Sequence, residues 1–410
     1  GEEIHDGNFC MDGLVYPDRT VHTGLLEYKN VYRPVRVVSY DKESGELVLH
    51  NYMDFDDLKD YVKISYELTQ DGLVISKGIL SEFSVASHGE GKTNLKISVP
   101  ENGKCYLKLI YYLKKEMPLL EENHILGFDE IEVSQKDAKC QLAEKWLEKT
   151  ATDSELQVNE DDTQIHIKGR EFAYTIDRRT ALLTEMKFAG REYLNHPMEL
   201  NIWRAPTDND MYIKAEWKKA HYDKAYTRAY TTEVVQGKHG VKIVSHASVV
   251  AETVQKILDV TITWKIDASG KIDADIEATK DGEFPDLPRF GVRMFLDKKL
   301  SDARYFGMGP QESYRDKHQA ASHGLYRANV RDLHEDYIRP QENGSHYDCE
   351  YVELNNSRYG IVASAEKAFS FNASYYTQEE LEKKTHNYEL AESDSVVLCV
   401  DYALNGIGSN

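Results

Sequence analysis

The sequence predicts a mainly β protein built from a first β-sandwich and a larger, two-sheet antiparallel sandwich. Three observations lead there. Short runs that alternate polar and apolar residues recur from about residue 29 onward, the two-residue period of half-buried strands. Turn residues break those runs roughly every ten positions, the spacing of sandwich strands. No helical pattern is interleaved between the later runs, which argues against a parallel βαβ sheet.

Taken in order, residues 1–28, "GEEIHDGNFCMDGLVYPDRTVHTGLLEY", hold Gly, Pro and charge but no sustained period, and read as loop with a short helix at most. "YRPVRVVSYD", "ELVLHNYM", "VKISYELTQDGLVISKGIL", "NLKISV" and "KCYLKLIYYL" then read as strands of an immunoglobulin-like sandwich over 29–135. Within it, Asp71-Gly72 marks a hairpin, because a type I′ turn needs positive φ at both residues and Asp and Gly accept it cheaply. "SQKDAKCQLAEKWLEKTATDSELQ" is strongly polar and reads as a linker leading into a second unit over 136–410.

In that second unit "QIHIKG", "EFAYTID" and "VKIVSHASVV" resume the alternation. Ser269-Gly270 should fold "LDVTITWKIDASGKIDADIEATK" into a long hairpin, with Val260, Ile262, Trp264 and Ile266 on one face and Ile272, Ala274 and Ile276 beside them. Thr377 and Glu380 fit a capping box opening a helix over 378–386. A second helix is expected in "KAEWKKAHYDKAY".

Composition narrows the function. At 410 residues the chain exceeds one ordinary core of about 150 residues, and 41% hydrophobic with 29% charged residues is globular. A net charge of -20, with no basic stripe, argues against nucleic acid as a partner. No apolar run reaches the roughly 18 residues of a membrane span, and the first residues lack signal-peptide character. Cys10, Cys105, Cys140, Cys349 and Cys399 are too widely spaced for a zinc or redox motif and read as buried thiols.

No nucleophile elbow or phosphate loop appears, and "HEDYI" lacks the second His of a metalloprotease helix. "GEGKTN" and "GMGPQE" read as turns. Three polar clusters break the strand pattern: "WRAPTDND" at 203, "GMGPQESYRDK" at 307 and "RPQENGSHYD" at 339. Either Arg204, Asp208, Asp210, Glu312, Arg339 and Glu342 pair with one another to lock corners, or they converge on a sugar beside the rings of Trp203, Tyr314 and Tyr347. His318 and His323 sit singly in an expected loop and form no metal motif.

"FCMDGLVYPDRT", "NIWRAPTDND", "YFGMGPQESYRDK", "YIRPQENG" and "FSFNASYYTQEELEKKTH", in this order, resemble the C-terminal region of β-galactosidases of glycoside hydrolase family 2. The resemblance implies that 1–28 ends a catalytic barrel, that 29–135 is that family's second immunoglobulin-like domain, and that 136–410 is its terminal galactose mutarotase-like sandwich. It implies that the catalytic acid and nucleophile lie in the barrel, so this chain is expected to be inactive, without a cofactor of its own. The whole enzyme would use sodium and magnesium, act on galactosides and form subunit contacts. Phe9 and Asp12 match the family's sodium segment, where Asp replaces the usual Asn and adds a charge. The family's substrate-stacking Trp would follow "YALNGIGSN", and missing final strands would leave a sheet edge open to self-association. Rival readings are a carbohydrate-binding module and an aldose epimerase drawing on His246, His318 or His346. The resemblance favours a rigid corner for "RAPTDND", with Asp208 among its supports.

Overall fold

The computed structural model describes residues 13–147, 156–254 and 256–408. Helix α1 (Thr23–Val31) precedes strands β1 (Val35–Tyr40) and β2 (Glu46–Asn51), a short α2 (Leu58–Tyr61), and β3 (Val62–Gln70), β4 (Leu73–Leu80), β5 (Glu90–Asn94), β6 (Cys105–Leu113) and β7 (Ile125–Glu132). These strands form antiparallel sheets in the orders β1-β2-β5 and β4-β3-β6-β7. Inward residues of both, including Leu47, Leu49, Ile64, Leu68, Leu107 and Leu109, meet in one core from which water is excluded.

Asp71 and Gly72 take φ of 48° and 80°, so the β3–β4 hairpin closes through two left-handed residues as the Asp-Gly pair predicts. "NLKISV" keeps its alternation, with Leu95 buried, but pairs as a strand only at its first residue. The ladder to β2 is occupied by 90–94, and "GEGKTN" is therefore largely strand rather than turn. The polar stretch after β7 holds helix α3 (Gln141–Leu147), which a linker reading misses. Leu142, Ala143 and Trp146 share one side of it and pack with Tyr106, Phe306 and Tyr351 at the junction of the two cores.

The second unit runs through β8 (Gln157–Glu160), β9 (Gln164–Lys168), β10 (Phe172–Asp177), β11 (Leu182–Phe188), β12 (Arg191–Glu192), β13 (Leu194–Asn201), α4 (Ile213–Lys219), β14 (Tyr226–Gln236), β15 (Gly240–Val250), β16 (Leu258–Asp267) and β17 (Ile272–Lys280). It continues with β18 (Arg289–Asp297), β19 (Asp302–Gly309), β20 (Ser322–Asn329), β21 (Ser345–Asn355), β22 (Gly360–Ser374), α5 (Gln378–Lys383) and β23 (Ser395–Leu404). Where the sequence suggested two sheets, the ladders resolve three: β12-β11-β10-β9-β8, β13-β18-β23-β22-β21-β19-β20 and β14-β15-β16-β17. Their apolar faces share one large core.

The long hairpin forms as expected, closing at Ile266↔Ile272, with the Asp267 carboxylate accepting from the Ser269 and Lys271 amides at 2.8 and 3.2 Å. Val260, Ile262, Trp264 and Ile266 are buried, whereas Ala274 is exposed because β17 is an edge strand. Thr377 caps α5 by accepting from the Glu380 amide at 3.1 Å. The Glu380 carboxylate instead takes the Ala391 amide. "GMGPQE" begins inside β19, not in a turn. The last strand, β23, runs between β18 and β22 in the sheet interior, and the edges of that sheet are β13 and β20. Cys105, Cys140, Cys349 and Cys399 are buried free thiols; Cys10 lies outside the described residues.

Candidate functional site

The three polar clusters meet at one end of the large sandwich. Beyond β13, the Asn201 side chain accepts from the Trp203 amide at 3.0 Å and turns the chain, setting the Trp203 ring edge-on to Trp217 of α4. Arg204 is fully buried. Its Nε and Nη2 donate to Asp210 at 3.1 and 2.6 Å, its Nη1 donates to the carbonyls of Asn405 and Gly406, and its plane lies over Trp217. Asp210 also accepts from the Thr207 amide at 2.8 Å, so a planar fork and a carboxylate lock the corner from within. Asp208, two residues earlier, is half-exposed and faces an exposed Arg339 at 3.8 Å.

Glu342 sits beneath this corner. It accepts from the Ala205 amide at 3.1 Å and from Arg289 of β18 at 2.8 Å. Arg289 Nε also lies 3.1 Å from Asp401 of β23, a contact of charges without hydrogen-bond alignment, since neither Asp401 oxygen has a hydrogen-bond partner. Burial pushes Asp401 up to about 7; Arg289 opposes this and the charge of Glu342 adds to it.

Glu312 is the third anchor and is held by residues from distant parts of the chain. Its carboxylate accepts from Thr23 of α1 at 3.0 Å, Lys317 at 2.6 Å, Tyr337 at 2.5 Å, the Gly344 amide at 2.8 Å and Tyr314 at 3.3 Å. Burial would raise its pKa, but the Lys317 charge and these donors outweigh burial and lower it. Nearby, the Tyr16 hydroxyl donates to Glu335 at 2.5 Å. A cleft of about 340 Å³ opens beside this knot, lined by His22, Lys317, Tyr337, Asn209, Asp316 and Ile407 among others.

The structure thus buries Arg204, Glu342 and the Glu312–Tyr314 pair in three neighbouring knots, tied through the Ala205 and Gly344 amides, and leaves Asp208 and Arg339 exposed. Trp203 and Tyr314 are buried to within 3% and offer no open ring face, while Tyr347 stacks on His318. His346 is a core residue between Tyr305 and Phe371, and burial pushes it down to about 4. His246 is exposed on β15 beside Thr261. Phe9 and Asp12 lie outside the described residues, and among the described residues no group of three or more His, Cys, Asp and Glu side chains gathers to hold a metal. The residues that sequence reading passed over are Thr23, Arg289, Tyr337 and Asp401. Two of them carried a signal: Arg289 and Asp401 are charges inside the apolar runs "RFGVRMFL" and "SVVLCVDYAL".

Comparison with known proteins decides the family. The model of the β-galactosidase small chain matches residues 168–410, more than half the chain, and that of β-galactosidase domain 4 matches 47–134. The chain belongs to the β-galactosidase family. It is 44% identical to a β-galactosidase of Actinobacillus pleuropneumoniae and 32% identical to one of Staphylococcus xylosus, in each case over 100% of this chain and 40% of the relative. A β-galactosidase of Pseudoalteromonas haloplanktis is 26% identical over the same shares. The chain therefore spans about two-fifths of the length of these β-galactosidases. Among solved structures, an uncharacterized Listeria monocytogenes protein in complex with glucose, magnesium and calcium covers 91% of this chain and 30% of its own. With 9% identity and a TM-score of 0.19, it does not establish a shared fold.

Proposed function

We propose that this chain is the non-catalytic C-terminal part of a retaining β-galactosidase that hydrolyses terminal β-D-galactosyl residues. Its two sandwiches, immunoglobulin-like over 29–135 and mutarotase-like over 136–410, brace the catalytic barrel and border its active site. Sodium at Phe9 and Asp12, and magnesium in the whole enzyme, belong to the same reading.

The observation that carries it is the Glu312 knot. Thr23, within the segment assigned to the barrel's tail, is bonded to a carboxylate whose other donors all come from the terminal unit. A carboxylate with five donors has no lone pair left for a substrate hydroxyl, so the knot acts as a fastener rather than a binding site. Burial of Trp203 and Tyr314 weighs in the same direction, because sugar stacking needs an open ring face.

The test is hydrolysis of an aryl β-galactoside by the purified 410-residue chain, run beside the full-length enzyme. Turnover is expected from the full-length enzyme alone. Turnover by the shorter chain above that of its heat-denatured sample overturns the reading.

A further inference from the structure

The first sandwich docks on the edge strand β20 of the second. At the centre of that contact lies the His323 imidazole, stacked flat on Tyr106 of β6 with 4.1 Å between ring centroids and 6° between planes. Its Nδ1 is 2.7 Å from Glu130 of β7 and its Nε2 is 2.9 Å from Asp348 of β21. The His323 amide donates to both Glu130 oxygens at 3.0 Å. An ionised carboxylate only accepts, so both ring nitrogens must donate at once, and only the imidazolium does so. Loss of the proton would leave a ring lone pair aimed at a carboxylate within about 3 Å.

Other charged or titratable groups of this contact are Lys108 of β6, bonded to Ser322, Lys104, placed between Glu132 and Glu350, and His318, which lies near enough to Asp348 to act on its charge. The Tyr326 hydroxyl donates to the Ser322 carbonyl. The tip of the β3–β4 hairpin completes the contact, with the Gly72 carbonyl accepting from the Leu325 amide.

We propose that His323 is a proton-dependent latch between the two sandwiches: charged, it clamps Glu130 of one to Asp348 of the other, and neutral, it releases one of them. This goes beyond the function proposed above and does not depend on it. Burial lowers the imidazole pKa, but the hydrogen bonds to Asp348 and Glu130 outweigh burial and raise it to about 9. Asp348 is held below its ordinary value, first by the His323 hydrogen bond. Because the folded value of His323 lies above the ordinary 6.5, its contribution is fully present below that pH and is lost as pH rises through about 9. At the acid end the Asp348 contribution is lost as pH falls through its lowered value. The weighting of the docked arrangement is at most on the order of a few hundredfold.

The experiment combines NMR titration of the His323 ring with hydrogen exchange across β6 and β20 in the 410-residue chain, at about pH 8 and about pH 10, corrected for intrinsic rates. The ring is expected to titrate near 9, and protection over β20 to fall by up to about tenfold across that step. His323→Gln, which cannot carry the charge, is expected to show low protection at both values. Lys108, whose pKa burial lowers, also faces this contact, and a wild-type-sized step persisting in His323→Gln would assign the step to another group and overturn the latch. Ring titration near 6.5 would overturn it as well, and decides the question even if the variant does not fold.

Discussion

Arg204 and Asp210 form a two-pronged ion pair at 2.6 and 3.1 Å with both side chains at zero exposure. Removing one partner strands a buried charge, at a cost of ~3–5 kcal/mol. Asp210→Ala is therefore expected to lower unfolding stability by that order in urea titrations. Asp208→Ala is expected to stay within ~0.5–1 kcal/mol, because its ion pair with Arg339 is exposed and long. The sequence treats these two aspartates alike, and the structure assigns the support of the corner to the second. Equal costs would refute that assignment.

Glu312→Gln keeps the shape of the knot and removes its charge, leaving the largely buried Lys317 without its carboxylate. The expected loss is about 3 kcal/mol at neutral pH. Since the folded-state pKa is lowered, the carboxylate's contribution is present above the ordinary 4.5 and is lost as pH falls through the lowered value. Melting curves of wild type and variant should therefore converge in acid. A gap that stays constant below that range would show that charge is not what holds the knot.

Asp401 predicts the opposite pH dependence. Its folded pKa, raised to about 7 by burial, means that ionising it in the native state is costly. The cost sets in above the ordinary 3.8 and is complete above about 7. Asp401→Asn removes the titration, so the Tm of the variant relative to wild type should rise between acid and mildly alkaline pH. A difference in Tm that does not change with pH would mean Arg289 keeps Asp401 ionised throughout.

The fold was legible where it depends on neighbours in sequence. Alternation gave the strands, the Asp71-Gly72 pair gave its turn, and Thr377 gave its cap, because each rests on contacts within a few residues. The site was legible only as three polar clusters. Whether Glu312 is buried depends on Thr23, 289 residues away, and no local pattern reports that. Helix α3 was lost in a polar stretch because its buried side is only about two turns long. In sequence His323 is only a lone histidine in an expected loop. Its partners lie 193 residues before it and 25 after it, so only the packing of β7 and β21 reveals them.

The docking of the two sandwiches also rests on one glycine. Gly72 has φ of +80°, and a Cβ there would stand 2.5 Å from the Leu325 amide nitrogen of β20. Gly45 has nearly the same φ, +78°, but its nearest contacts, to Lys96, are at 3.1 Å and lie within the first sandwich. Alanine at either position incurs the left-handed backbone cost of about 1–2 kcal/mol. Only Gly72→Ala must also push β20 away, so it is expected to cost at least ~1 kcal/mol more than Gly45→Ala in matched denaturation curves. It should also raise hydrogen exchange over β20, which Gly45→Ala should leave unchanged. Equal costs and equal exchange would show that the hairpin tip merely touches β20 and that the clamp at His323 holds the sandwiches without it.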